Sequence, residues 1–195
     1  MPFVPTIIEK ENDGRYSTDL LSRLAMDRIV FVHEPITSQL AMTVNAQLLY
    51  LDAISDEPIQ LYISSPGGEV MAGLSILDIM ASLRSPVHTV ALGMVASMAS
   101  ILLVYGDRRY MLPNAQVMLH QPLGGAQGQA SDIEITAQQI IKIKKKLNAM
   151  LAERTGRPLE EIERVTDRDS YFDAEESLAF GLVDEILRPE QKRAA

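Results

Sequence analysis

Apolar positions along the chain change period several times, and each change marks an element. Between Ser38 and Leu51, Leu40, Val44, Leu48 and Leu51 recur three or four residues apart, as on one face of a helix. Ile59-Gln60-Leu61-Tyr62-Ile63 is β-branched and aromatic and reads as a buried strand, ended by Ser64-Ser65-Pro66-Gly67-Gly68. Val70 to Leu83 returns to helical spacing, and Val87 to Leu92 reads as another strand. The stretch from Gly93 to Val104, rich in small residues, predicts a helix, and Met111 to Leu119 resumes strand character. Upstream, Thr18 to Met26 predicts a short helix and Arg28-Ile29-Val30-Phe31-Val32 a strand. Two strand–helix–strand passages in series predict an α/β domain with parallel pairing at its centre.

Residues 1–16 mix apolar side chains with Pro, Glu and Lys in neither period, which predicts a flexible N-terminal arm ahead of a single domain over 17–195. Ser131-Asp132-Ile133-Glu134 has the spacing of a capping box, with Ser131 as N-cap. The helix it opens keeps apolar residues at Ile133, Ala137, Ile140, Ile141, Ile143, Leu147, Met150 and Leu151 until Thr155-Gly156 stops it. That stripe is wide enough to bury more than one face, and a partner subunit is a natural place to bury it. A short helix follows Pro158, and Ala174 to Phe180 forms the last.

Composition narrows the field. A chain of 195 residues suits one domain with a buried core, and 47% hydrophobic with 23% charged residues is an ordinary globular balance. The net charge of −8 argues against a duplex-binding surface. The one basic cluster, Lys142, Lys144, Lys145 and Lys146, falls in a helical pattern and reads as a solvated face. With no cysteine, disulfides, thiolate metal sites and cysteine nucleophiles are excluded. No apolar run is long enough to span a bilayer, and Met1-Pro2-Phe3-Val4-Pro5 lacks the features of a secretory signal, so a cytoplasmic location is expected.

The remaining nucleophile candidates are Ser, Thr, Lys or a carboxylate, and a serine nucleophile needs a histidine base. His33 follows a strand beside Glu34-Pro35, and His88 sits within an apolar strand where a structural role is the default. His120 ends Val117-Met118-Leu119 and precedes a glycine-bearing loop, a place where catalytic side chains are presented. Ser97 follows a strand at the start of a helix, where backbone N–H groups point outward, although, taken alone, close helix packing is the better explanation of a small residue there. Gly67-Gly68 reads either as a plain turn or as the donor of a Gly68 N–H to an oxyanion, with the Met98 N–H as second donor. Asp169 has the type to orient a histidine, yet any single aspartate is by default a surface acid. No H-x-x-x-H or H-E-x-x-H spacing supports a metal site, and Gly68 to Leu74 lacks the G-K-[ST] ending of a phosphate loop.

Taken in order, Ser65-Pro66-Gly67-Gly68, Gly93-Met94-Val95-Ala96-Ser97-Met98, Leu112-Pro113-Asn114, the run from Met118 to Gly125, Asp167-Arg168-Asp169 and Gly181-Leu182-Val183-Asp184 resemble the ClpP family, the peptidase subunits of the Clp protease. The resemblance covers about Arg15 to Leu187 and implies Ser97 as nucleophile, His120 as general base and Asp169 as its orienting partner. It implies the Gly68 and Met98 amides as the oxyanion hole. The fold implied is crotonase-like α/β, with a handle over about 122–155 through which two seven-membered rings stack around a chamber. Gly124 and Gly125 would lie on a strand that pairs with an extended peptide, and Asp167 with Arg168 would stand near the ring–ring contact. The N-terminal arm would line the axial pore. No cofactor is implied for this chain; unfolding would come from a hexameric AAA+ ATPase such as ClpX, ClpA or ClpC.

The sequence departs from the family at three places. The loop from Gly106 to Tyr110 is shorter than the usual segment. Gln60 and Ser82 stand where aromatic side chains commonly help form the ATPase docking pocket. Two other readings therefore stay open: a regulatory, ClpP-like scaffold that needs an active paralogue, and another crotonase-fold enzyme such as an acyl-CoA hydratase or isomerase.

Overall fold

Residues 5–11 and 14–188 are described by the computed structural model, side chains at 9–16 excepted. Its centre is a parallel sheet of β3 (Ile29–Val32), β4 (Ile59–Ser65), β5 (Val87–Ala96), β6 (Arg108–Met111) and β9 (Glu185–Ile186), in that spatial order. Each crossover is helical: α2 (Ser38–Ile54), α3 (Val70–Ser82) and α4 (Met98–Val104) intervene between successive strands. The expected parallel α/β centre is thus observed. Leu40, Val44, Leu48 and Leu51 of α2 are buried as their spacing required, and β4 alternates buried and half-buried along its length. Every residue of α4 is buried, Ser100 included.

Two elements depart from expectation around the glycine-rich stretch. Gly93 to Ala96 is not helical, because β5 continues through it. The β4–β5 register jumps from Ile63↔Ala91 to Ser65↔Val95, and Gly93 sits in that bulge at φ +58. Beyond the bulge, β5 leaves β6 and pairs Met94–Ala96 with Gln116–Met118 of β7 (Gln116–Leu119). The segment from Met111 to Leu119 is correspondingly two strands, β6 and β7, split by a turn at Pro113-Asn114. A three-residue strand, β8 (Ser170–Phe172), then pairs antiparallel with β7. The bulge therefore turns the chain out of the main sheet and builds a second small ladder at the carboxyl ends of the central strands, where open α/β sheets bind ligands.

The long helix, α5, runs Ala130–Thr155 and ends at Gly156, which adopts φ +71. Its N-cap is Gln129 rather than Ser131, and no side chain caps it, because starting two residues early leaves Ser131 inside the first turn. A capping box forms instead at Asp173 and Glu176, opening α7 (Ala174–Phe180). Leu147 and Leu151 are buried beneath α6 (Leu159–Thr166) and α4, but Ile133, Ile135 and Ile141 are exposed. Among the described residues, nothing covers these three side chains.

Where a flexible arm was predicted, β1 (Thr6–Glu11) pairs antiparallel with β2 (Gly14–Asp19), directly ahead of α1 (Leu20–Met26). Met1 to Val4 lie outside the described residues. Ile7 is half-buried and Ile8 exposed, and the stretch carries neither clean period for sequence reading to detect.

Arginines fasten the periphery. Arg28, at φ +62, donates to the carbonyls of Leu51 (2.9 Å), Ser55 (3.2 Å) and Pro58 (3.3 Å) and to Ser85 Oγ (3.0 Å). These bonds satisfy carbonyls at the end of α2 and hold a backbone that only a well-anchored side chain keeps. Arg109 pairs with Asp184 and fixes β9 against β6. Burial raises the Asp184 pKa, but hydrogen bonds and charge from Arg109 outweigh it and hold the carboxyl below its ordinary range. That clamp is present at neutral pH and is lost only as acidification passes the lowered value. No helix among the described residues is long and apolar enough to cross a membrane.

Candidate active site

Ser97 lies between β5 and α4 at φ +56, ψ −124, a conformation that mirrors the first central residue of a type II turn. Held by a residue with a Cβ, it stores strain of order 1–3 kcal/mol. Three interactions maintain it. The Ser97 N–H donates to the Met118 carbonyl (2.9 Å), the Ser100 N–H donates to the Ser97 carbonyl (3.0 Å), and fully buried Ser100 Oγ lies 3.0 Å from the Val95 carbonyl and 2.8 Å from that of Met118. The turn is thus pinned to both β5 and β7, and it directs the serine hydroxyl out of the backbone.

That hydroxyl is 2.8 Å from His120 Nε2. His120 Nδ1 is in turn 3.1 Å from Asp169 Oδ1. The pairing Leu119↔Ser170 in the antiparallel β7–β8 ladder sets the next residues outward, His120 and Asp169, side by side. The imidazole is mostly covered, 15% exposed at the side chain, whereas the Asp169 carboxylate is 57% exposed. Three residues separated by 23 and 49 positions are therefore brought into one hydrogen-bonded line.

Gln121, the neighbour of His120, fixes that line from behind. Its N–H donates to the Thr166 carbonyl (2.6 Å), its Nε2 donates to the Asp167 carbonyl (2.9 Å), and its Oε1 accepts from Lys144 Nζ (2.9 Å) on α5. One side chain thus joins the end of β7, the turn that bears Asp169, and the long helix. Sequence reasoning missed it, since a lone glutamine has no diagnostic spacing; its only signal is adjacency to His120.

Gly67 and Gly68 approach from the end of β4. Ile36 donates to the Gly67 carbonyl (2.8 Å) and accepts from the Glu69 N–H (2.8 Å), so the Gly68 N–H faces away from Ile36. A Cβ on Gly67 would stand 2.7 Å from Ser97 Cβ and 2.9 Å from Met98 N, which places this turn against the serine. Met98 opens α4, so its N–H has no intrahelical acceptor. Its side chain fills the space left by Gly73 on α3, where a Cβ would meet Met98 Cγ at 2.3 Å.

The other expected residues lie apart from this line. His33 is exposed. His88 is half-buried on the open sheet face, with Nδ1 3.3 Å from Gln60 Nε2 and its ring edge-on to Tyr110. Ser82 is exposed and donates to the Ile79 carbonyl. Asp167 and Arg168 project from the surface, 4.0 Å apart at their closest charged atoms. Gly124 and Gly125 are exposed and form no strand, because the segment from Pro122 to Gln127 has no ladder partner; Gly124 rests beside Ile140 of α5.

A hydroxyl bonded to an imidazole, an imidazole bonded to a carboxylate, and two outward N–H groups form the constellation needed to attack a carbonyl and hold the resulting oxyanion. The family model described as Clp protease matches residues 11–190, and the chain belongs to that family, a family of ClpP-type peptidases.

Proposed function

We propose that this chain is the proteolytic subunit of an ATP-dependent Clp protease, a serine endopeptidase acting on unfolded polypeptides. The observation that carries this is the continuous hydrogen-bonded line from Ser97 Oγ through His120 to Asp169. Asp169 holds the imidazole proton on Nδ1, leaving the Nε2 lone pair toward Ser97. Ser97 Oγ attacks the peptide carbonyl while Nε2 takes its proton, and the oxyanion rests on the Gly68 and Met98 N–H groups. The C–N bond breaks as Nε2 returns the proton to the departing amine. Water, deprotonated by His120, then cleaves the ester and regenerates Ser97.

This chemistry asks no cofactor of the chain. Assembly is supported by the uncovered Ile133, Ile135 and Ile141 on α5, an apolar face for a second ring of the expected two seven-membered rings. Asp167 and Arg168 would lie near that contact. The unpaired segment at Gly124 and Gly125 is free to add an extended substrate as a neighbouring strand. Substrate would be delivered in the cytoplasm by an AAA+ unfoldase such as ClpX, ClpA or ClpC. Polar Gln60 and Ser82 favour a second reading, a subunit that co-assembles with an active paralogue; the complete Ser97–His120–Asp169 line weighs against a silent scaffold.

A fluorophosphonate probe tests the reading directly. Purified protein is expected to be labelled at Ser97, located by peptide mapping, in a particle of roughly fourteen subunits, with loss of fluorogenic-peptide hydrolysis in step with labelling. Labelling elsewhere, or an unlabelled Ser97 in an assembled particle, would refute it. Gln121→Leu is expected to lower kcat about tenfold with little change in KM, because His120 and Asp169 lose their shared tether while substrate contacts remain. A change confined to KM would show that Gln121 does not position the pair.

A further inference from the structure

Ser97 stands between two strand ends, because β5 pairs at Val95 with Ser65 of β4 on one side and with Val117 of β7 on the other. His120 follows β7 and the Gly67-Gly68 turn follows β4, so the base and the turn flank the serine from opposite sides. The direction of a bound peptide follows from proton transfer. Its departing amine must meet His120 Nε2, so the chain after the cleaved bond leaves toward β7. The chain before that bond leaves the other way, past Gly68 and Glu69.

Glu69 brings a carboxylate to within one residue of the proposed oxyanion donor Gly68. Although it is the N-cap residue of α3, its side chain makes no capping bond. Instead Oε2 accepts from the hydroxyl of Ser38 (2.7 Å), the first residue of α2, which tethers the group and leaves Oε1 open. Glu69 is exposed and has no ion-pair partner among the described residues. A lone negative charge here opposes the negative charge that develops on the attacked carbonyl oxygen. A cation supplied by the substrate removes that opposition and gains a contact of its own.

Building on the proposed peptidase function, we infer that Glu69 is a specificity-determining residue that selects arginine or lysine within the two residues before the one whose carbonyl Ser97 attacks. Two extended residues span about 7 Å, so a long basic side chain at either position reaches the carboxylate. Arginine suits it better than lysine, since its planar fork offers several donors to the open oxygen. Glutamate at the same positions is disfavoured by like charge.

The test is a set of fluorogenic peptides identical except at those two positions, carrying in turn arginine, its neutral isostere citrulline, or glutamate. Wild-type protein at low salt is expected to favour arginine over citrulline in kcat/KM by about fivefold at one position or both, with glutamate slowest. In about 1 M salt, where charges are screened beyond about 3 Å, that advantage is expected to shrink below about twofold. In Glu69→Gln the arginine-to-citrulline ratio is expected to fall to about one, and in Glu69→Lys glutamate is expected to overtake arginine. Ratios on one preparation do not depend on the folded fraction, and the wild-type salt series stands even if both variants fail to fold. No arginine advantage in the wild type, an advantage indifferent to salt, or one unmoved by Glu69→Gln overturns the inference. Hydrolysis of none of the peptides would instead sink the peptidase reading on which the inference rests.

Discussion

Ser97→Ala is expected to lower peptide hydrolysis about a thousandfold or more while leaving the fold intact. The hydroxyl's only hydrogen-bond partner among the described residues is His120, so its removal deletes the attacking atom without orphaning a buried group. Alanine at φ +56 keeps the strain that serine carries, and the melting temperature should move little. Ser97→Gly separates strain from chemistry. Glycine accepts that backbone freely, so this variant is expected to be equally inactive yet more stable, by about 1 kcal/mol. Residual activity would come from the amide donors and binding alone. Retention of more than a tenth of the wild-type rate by Ser97→Ala would mean that another group attacks the carbonyl.

Periodicity alone exposed the parallel centre of the fold, because α2, α3 and β4 each bury one face against a common core and their spacing records it. It missed the hairpin β1–β2, whose stretch carries neither period, whereas the helix expected over Gly93–Val104 forms in its second part as α4, buried all round. The extension of β5 through Gly93 to Ala96 was illegible for another reason. Its pairing with β7 is decided by a bulge, a tertiary choice that local propensity toward a small-residue helix does not reveal.

The site was legible in parts of unequal quality. His120 stood out by its place at a strand end, and Ser97 by its place at a helix start, but in isolation each had a better structural explanation. Asp169 was anonymous from its own surroundings. What distinguishes it is the antiparallel ladder that sets Ser170 beside Leu119, a contact between segments about fifty residues apart. Gln121 entered only as part of an ordered motif, since its role lies in a partner on α5 that only packing brings to it. Ordered motifs supplied the assignment that individual residues withheld.

Gly67→Ala is expected to reduce activity about a hundredfold, although the substituted atom touches neither substrate nor His120. At φ +87 an alanine is strained, and its Cβ would lie 2.6 Å from the Ala96 carbonyl oxygen, 2.7 Å from Ser97 Cβ and 2.9 Å from Met98 N. Two of these neighbours are backbone atoms and cannot rotate aside. Either the Pro66–Gly68 turn retreats, carrying the Gly68 N–H with it, or the Ser97–Met98 turn is displaced; both misplace a proposed oxyanion donor by a few tenths of an ångström or more. Gly156→Ala provides the control, because Gly156 adopts φ +71 but has nothing within 4 Å of a built Cβ. Both substitutions impose left-handed strain of about 1–2 kcal/mol, and Gly67→Ala adds overlap of similar size. Thermal melts should therefore show both variants destabilised, Gly67→Ala the more so, while only Gly67→Ala loses kcat. Equal losses of activity in the two would assign the effect to general destabilisation, whereas a fully active Gly67→Ala would mean that the β4 turn does not frame the oxyanion.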